Sequence, residues 1–242
     1  MGRDDSAWSG DYFSTVSRDL TPTSLGNATR VLFAPLSRDI RVSLRCAAVL
    51  SDNERGRAQR FAGEEERSRY IQRRAFRRFC AARALGLPGP LSRINFAETD
   101  KGRPYLRGFP NFWFSFSSAR VGVLGAWSSN RGIGVDLEDD TRSLEAMDLS
   151  RRYFCAAEKR AIQRLNGPER LRTFFRYWCL KEAALKSIGE GLPSGLDAFE
   201  FGLRPEPLVL RAPPSHGGAE RFDAHLIDGT GYCAALVLHS RA

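Results

Sequence analysis

The sequence predicts a mixed α+β fold (α/β mixed) in which one architecture is built twice. Each half of the chain reads as a strand, then helices, then further strands. The halves meet at the turn-rich stretch Ser128-Ser129-Asn130-Arg131-Gly132. With 242 residues, 42% hydrophobic and 27% charged, the chain has the length for one to two domains and an ordinary globular composition. No sequence repeat is visible, so the duplication rests on the order of elements.

Residues 1–28 are polar, rich in Ser, Thr, Gly and Asp, and read as a flexible N-terminal extension. Residues 29–130 form the first expected subdomain, which opens on a strand at Val31-Leu32-Phe33. Ser51-Asp52-Asn53-Glu54 carries turn and cap signals and starts a helix through Phe61. A longer helix follows from about Glu64 to Leu85, with Ile71, Ala75, Phe76, Phe79, Cys80 and Ala82 on its inner side. Gly86, Pro88, Gly89 and Pro90 end it. Strands are expected at Ile94-Asn95-Phe96, Phe112–Phe116 and Val121–Trp127. Residues 131–242 form the second subdomain. It begins with a strand at Ile133–Glu138, continues with helices near 150–165 and 169–188, and ends with strands near Phe199–Leu203, Leu208–Arg211, Arg221–Ile227 and Tyr232–Leu238.

The formal net charge is +9, from 37 basic and 28 acidic residues, which implies an anionic partner: nucleic acid, a phosphorylated cofactor or an acidic protein. The five cysteines (46, 80, 155, 179 and 233) are scattered without a Cys-x-x-Cys, so neither a disulfide framework nor a zinc site is indicated and a reducing cytoplasm fits. The three histidines lie near the C-terminus, outside any metal or triad context, and read as surface residues. No apolar run approaches the ~18 residues of a membrane span, and no signal peptide is evident. Met1-Gly2-Arg3-Asp4-Asp5-Ser6 fits the loose myristoylation pattern, which is too short to carry weight.

Two acidic features bear on chemistry. From Leu171 the apolar residues recur as Leu171, Phe174, Phe175, Trp178, Leu185 and Ile188, a helical period. Glu182 falls on that stripe, and Lys186 lies four residues on. An inward carboxylate beside a lysine is either an active-site group or a structural Glu–Lys pair. In Gly134-Val135-Asp136-Leu137-Glu138 the strand period turns Val135 and Leu137 one way and Asp136 with Glu138 the other. Two carboxylates on one strand face either bracket a cation or line a solvated edge. With Glu182 they make three hard oxygen ligands, a set that suits Mg²⁺ and accepts Mn²⁺.

The basic features read two ways as well. The long helix carries seven arginines (67, 69, 73, 74, 77, 78 and 83), which form either a solvated face or an inward grip on phosphate. Lys101-Gly102-Arg103-Pro104 is a stiff basic turn, and Ser115-Phe116-Ser117-Ser118 places hydroxyls at a strand end. Alone, each also fits an ordinary surface.

Taken in order, these elements resemble the Sfp-type 4′-phosphopantetheinyl transferases over roughly residues 30–240. The signature blocks are Gly134-Val135-Asp136-Leu137-Glu138 and Trp178-Cys179-Leu180-Lys181-Glu182-Ala183-Ala184-Leu185-Lys186, the latter similar to W-x-x-K-E-[SA]-x-x-K throughout. Lys101-Gly102-Arg103-Pro104 is similar to the family's G-K-P turn, and Phe114-Ser115-Phe116-Ser117-Ser118 to its F-N-x-S-H segment. Arg152-Tyr153-Phe154-Cys155-Ala156-Ala157-Glu158 resembles the block between the signatures.

The resemblance implies a pseudo-twofold monomer with coenzyme A in the cleft between its subdomains. It implies transfer of phosphopantetheine to a serine of an apo carrier protein, with release of adenosine 3′,5′-bisphosphate. Asp136, Glu138 and Glu182 would hold the metal, and Glu182, or Glu158 through water, would deprotonate the serine. Lys186 would contact phosphate, with Lys181 in support. Arg78 or Arg77, together with Lys101, Gly102, Arg103, Pro104, Ser117 and Ser118, would face the 3′-phosphate and adenosine. Carrier proteins are typically acidic, which the +9 charge suits. Three departures stand out: Ser118 replaces the family's histidine, Ser115 its asparagine, and Arg103 its G-K-P lysine. Two other classes are a basic nucleic-acid-binding module, for which no recognised motif is present, and a catalytically silent carrier binder, against which the retained carboxylates argue.

Overall fold

The computed structural model describes residues 8–87, 91–142, 145–189 and 195–240. Its fold is mixed α+β, and the expected repetition of elements is present. The first half runs β2 (Thr29–Ala34), α2 (Ile40–Ala48), α3 (Asp52–Gln59), α4 (Glu64–Leu85), β3 (Phe96–Glu98), β4 (Pro104–Leu106), β5 (Trp113–Ala119) and β6 (Gly122–Ser128). The second runs β7 (Gly132–Glu138), α5 (Ala146–Tyr153), α6 (Ala156–Gln163), α7 (Gly167–Ile188), β8 (Glu200–Gly202), β9 (Leu208–Arg211), β10 (Phe222–Leu226) and β11 (Cys233–His239). Each is a strand, two short helices, a 22-residue helix, a two-stranded pair and two closing strands. The sheet topology repeats too. The last strand of each half sits between the first and the penultimate, all antiparallel, as β2-β6-β5 and as β7-β11-β10.

Strand alternation sorts the side chains into three cores. Leu32, Ala34, Phe114 and Val123 pack beneath Phe76, Phe79 and Cys80 of α4. Cys233, Ala235 and Val237 of β11 pack beneath Phe175, Cys179 and Ala183 of α7. Val31, Phe33, Leu124 and Ala126 meet Ile133, Val135, Leu137 and Leu236 between the sheets. The layers are therefore α4, sheet, sheet, α7. Each fully buried Leu, Val or Phe contributes about 1.5–3 kcal/mol, and β11, buried along its whole length, joins two of these cores.

Several elements differ from expectation. Residues 8–28 are not a flexible extension: they hold α1 (Trp8–Val16) and β1 (Arg18–Asp19), because Phe13 buries fully against Phe76 and Phe79 and β1 pairs with β2. The helix expected near 150–165 is two helices. Phe154 is extended and Cys155 caps α6, its backbone N–H donating to Glu158 Oε2 at 2.9 Å. Helix α2 was unforeseen; Asp39 caps it, and Cys46 buries from its inner face. The basic turn at Lys101-Gly102 joins a hairpin, β3 to β4. Pro88, Gly89 and Pro90, expected to follow Gly86 at the end of α4, lie outside the described residues, as do Met1–Ser6.

Candidate active site

The site grows out of the packing of α7 on β7. The β7 face that carries Asp136 and Glu138 also carries Gly132 and Gly134. A Cβ on Gly134 would lie 1.8 Å from the Ala183 carbonyl oxygen, so glycine there lets α7 lie directly on the strand. That approach brings Lys186 over the carboxylates. Its Nζ donates to Asp136 Oδ1 at 2.7 Å and to the Val135 carbonyl at 3.2 Å. From the other side β5 reaches the same strand: Ser117 Oγ donates to Asp136 Oδ1 at 2.9 Å, and Ser115 Oγ accepts the Val135 N–H at 3.0 Å. Two motifs far apart in sequence thus meet on one carboxylate.

The electrostatics of this cluster are those of crowded acids. Burial, then the charge of Asp136, pushes the Glu138 carboxyl up to about 7. The same two causes raise Glu182. Burial draws the Lys186 ammonium down, but Asp136 and the bond to it hold it above its usual value. Asp136 Oδ2 is buried and has no hydrogen-bond partner. An orphaned carboxylate oxygen facing two acids of raised proton affinity fits a hard divalent cation. Among the described residues, no three such side chains close around a common point: Asp136 pairs with Lys186, and Glu138 with Arg142 at 3.1 Å.

A cleft of ≈160 Å³ opens beside this cluster and spans both halves. It is lined by Arg77, Lys101-Gly102-Arg103-Pro104, Phe114–Phe116, Lys186 and Gly189. The Arg103 guanidinium lies 3.8 Å from the centre of the Trp113 ring. A smaller neighbouring pocket holds Ser117, Ser118 and Arg73 and shares Arg77 and Phe116 with the cleft. Lys101, Gly102, Arg103, Pro104, Ser117, Ser118, Asp136 and Lys186, expected from sequence to serve one site, are thereby neighbours.

Three expected residues go elsewhere. Arg78 is buried against Glu54 (2.9 Å) and Asn95 (3.3 Å) on the inner side of α4, leaving Arg77 as the arginine at the cleft. Glu158 and Lys181 are both fully buried and pair at 2.8 Å. Glu158 also accepts the N–H groups of Cys155 and Phe201, and Lys181 donates to the carbonyls of Leu196 and Phe199. A sealed carboxylate with this many donors cannot take a proton from a substrate; the pair bolts α6 and β8 to α7. Sequence reasoning also passed over Arg142 and Arg73. Arg73 had a signal: it lies four residues before Arg77 and so shares its helix face.

The model of the 4′-phosphopantetheinyl transferase superfamily matches residues 132–237. The 4′-phosphopantetheinyl transferase HetI of Nostoc sp. (strain PCC 7120) is 33% identical over 174 residues, 70% of this chain and 72% of that protein. The 4′-phosphopantetheinyl transferase Sfp of Bacillus subtilis (strain 168) is 27% identical over 183 residues, 75% of this chain and 79% of that one. The crystal structure of Thermotoga maritima holo-[acyl-carrier-protein] synthase aligns with 46% of this chain and 64% of its own at 20% identity, with a TM-score of 0.37. The chain belongs to the 4′-phosphopantetheinyl transferase superfamily and is a phosphopantetheinyl transferase.

Proposed function

We propose that the protein transfers 4′-phosphopantetheine from coenzyme A to a serine of an acidic apo carrier protein, with Mg²⁺ bound. The observation that carries this is the meeting of Asp136, Ser117 and Lys186 at the head of a cleft walled by Arg77, Lys101 and Arg103. We take residues 29–130 and 131–242 as the two subdomains that hold the donor between them. Asp136, Glu138 and Glu182 would hold the metal, which supplies Lewis-acid neutralisation of the pyrophosphate.

The chain's own residues do the rest. Arg77, Lys101 and Arg103 bind and orient the nucleotide, and the Trp113 ring keeps Arg103 in place. Lys186 gives its positive charge to the bridging phosphates. The carrier serine oxygen bonds to the β-phosphorus as the bond to the adenosine bisphosphate breaks, and the serine proton passes to Glu182. Glu182 suits this because Lys186 pairs with Asp136 and, among the described residues, Glu182 has no ion-pair partner of its own. Most α4 arginines are turned to acids of the chain itself, as Arg69 is to Glu65, Arg74 to Glu54 and Arg78 to Glu54, which leaves little for a nucleic-acid backbone. All five cysteines are free, and no described helix is long and apolar enough to cross a membrane.

Release of adenosine 3′,5′-bisphosphate from coenzyme A, followed with an apo carrier present, tests this. Release that needs the carrier, stops with EDTA and returns with Mg²⁺ supports it; release indifferent to EDTA removes the metal from the reading.

A further inference from the structure

The small pocket beside the cleft holds more positive charge than its walls neutralise. Arg73 and Arg77, one turn apart on α4, enter it together, between Phe76, Phe116, Ser117 and Ser118. Arg73 Nη1 donates to Ser118 Oγ at 3.1 Å and its Nε to the Arg69 carbonyl at 3.1 Å, so both hydrogen bonds go to neutral oxygens. Arg77 lies 5.1 Å from the centre of the Phe116 ring, its nearest acid is Glu98 at 3.7 Å, and its Nη1 is buried without a hydrogen-bond partner. Burial, then Arg74, depresses the Arg77 guanidinium to about 10. A buried donor left unmade beside a second cation costs free energy that an anion restores. The pocket, at ≈50 Å³, is far below the ~300 Å³ at which whole-ligand sites begin. It has room for one group of a larger molecule.

We propose that Arg73 and Arg77, with Ser118, form a subsite for a phosphate monoester, and that Arg73 supplies the positive charge that serine at position 118 cannot. Ser118 accepts from Arg73 and keeps its own proton to donate to a phosphate oxygen. Arginine suits the role because its fork presents two parallel donors. This rests on the coenzyme A reading above: the monoester is then the donor's 3′-phosphate, and Arg73 is the residue that selects coenzyme A over 3′-dephospho-coenzyme A.

Titration calorimetry of both nucleotides against the wild type, Arg73→Ala and Arg73→Lys tests this without any carrier. The wild type binds coenzyme A more tightly. Arg73→Ala lowers that affinity roughly 10- to 100-fold, the worth of a hydrogen bond to a charged group, and leaves 3′-dephospho-coenzyme A nearly unchanged. Arg73→Lys recovers part, as a point charge without the fork. Arg73→Gln replaces the alanine variant if that fails to fold. If the wild type prefers coenzyme A and Arg73→Ala keeps the same ratio, or weakens both nucleotides equally, the role given to Arg73 is wrong. If the wild type binds neither nucleotide, the donor reading itself falls and takes this subsite's ligand with it.

Discussion

Replacing Lys181 with methionine separates a structural role for the buried pair from a catalytic one. Glu158 and Lys181 are both wholly shielded from solvent and 2.8 Å apart. Removing one partner of such a pair strands the other charge, at a cost of about 3–5 kcal/mol. In Lys181→Met, Glu158 keeps the N–H donors of Cys155 and Phe201 but loses its counter-charge, while the carbonyls of Leu196 and Phe199 lose their donor. At roughly 2–4 °C per kcal/mol for a chain of this size, the melting temperature should fall by roughly 6–20 °C. Thermal unfolding followed by circular dichroism measures this, paired with the transfer rate well below the transition, which should stay near wild type. Adding Glu158→Leu removes the stranded charge but leaves the Cys155 and Phe201 N–H groups without their acceptor, so it should restore only part of the lost stability. An unchanged melting temperature, or lost transfer with intact stability, would refute the reasoning and return the pair to the catalytic apparatus.

Three further outcomes follow from the same geometry. Glu138 binds a proton more readily folded, at about 7, than unfolded, at 4.5; without metal, its effect on stability is therefore unfavourable as pH rises from 4.5 through 7. Glu138→Gln should accordingly be the more stable protein above pH 7 in EDTA, and wild-type Mg²⁺ affinity, measured by calorimetry, should weaken as pH drops below 7; a pH-independent difference between the two proteins would contradict this. Gly134→Ala puts a Cβ 1.8 Å from the Ala183 carbonyl, so α7 must shift, with a loss of about 1–3 kcal/mol or more in denaturant unfolding and impaired transfer; a neutral substitution would show that the helix does not lie so close. Raising ionic strength should raise the apparent KM for the carrier, since the +9 chain meets an acidic partner; an unchanged KM would remove charge from that encounter.

What the sequence made legible followed periodicity and spacing. The alternation around Asp136 and the helical stripe around Glu182 put both carboxylates on faces that come close to each other, and the Ser128–Gly132 stretch joins β6 to β7. What it hid was burial by partners remote in sequence. Lys181 and Lys186 sit in the same motif, yet one pairs with Glu158 in the core and the other with Asp136 at the cleft. Adjacent Arg77 and Arg78 differ in the same way, by the ~100° turn between neighbouring helix positions, which points Arg78 at Glu54. Residues 8–28 looked unstructured because their apolar residues are few and widely spaced among polar ones, yet Phe13 buries fully and Tyr12, Val16, Leu20 and Leu25 pack beside it or against the inter-sheet core.

The most direct test of the central claim is the intact mass of an apo carrier protein after incubation with this protein, coenzyme A and Mg²⁺. The account predicts a gain of one phosphopantetheine on the carrier serine, absent with Asp136→Ala, whose carboxylate joins Ser117 and Lys186. Equal modification by that variant would contradict the role given to Asp136. No gain on any fatty-acid, polyketide or peptide-synthetase carrier would contradict the proposed acceptor.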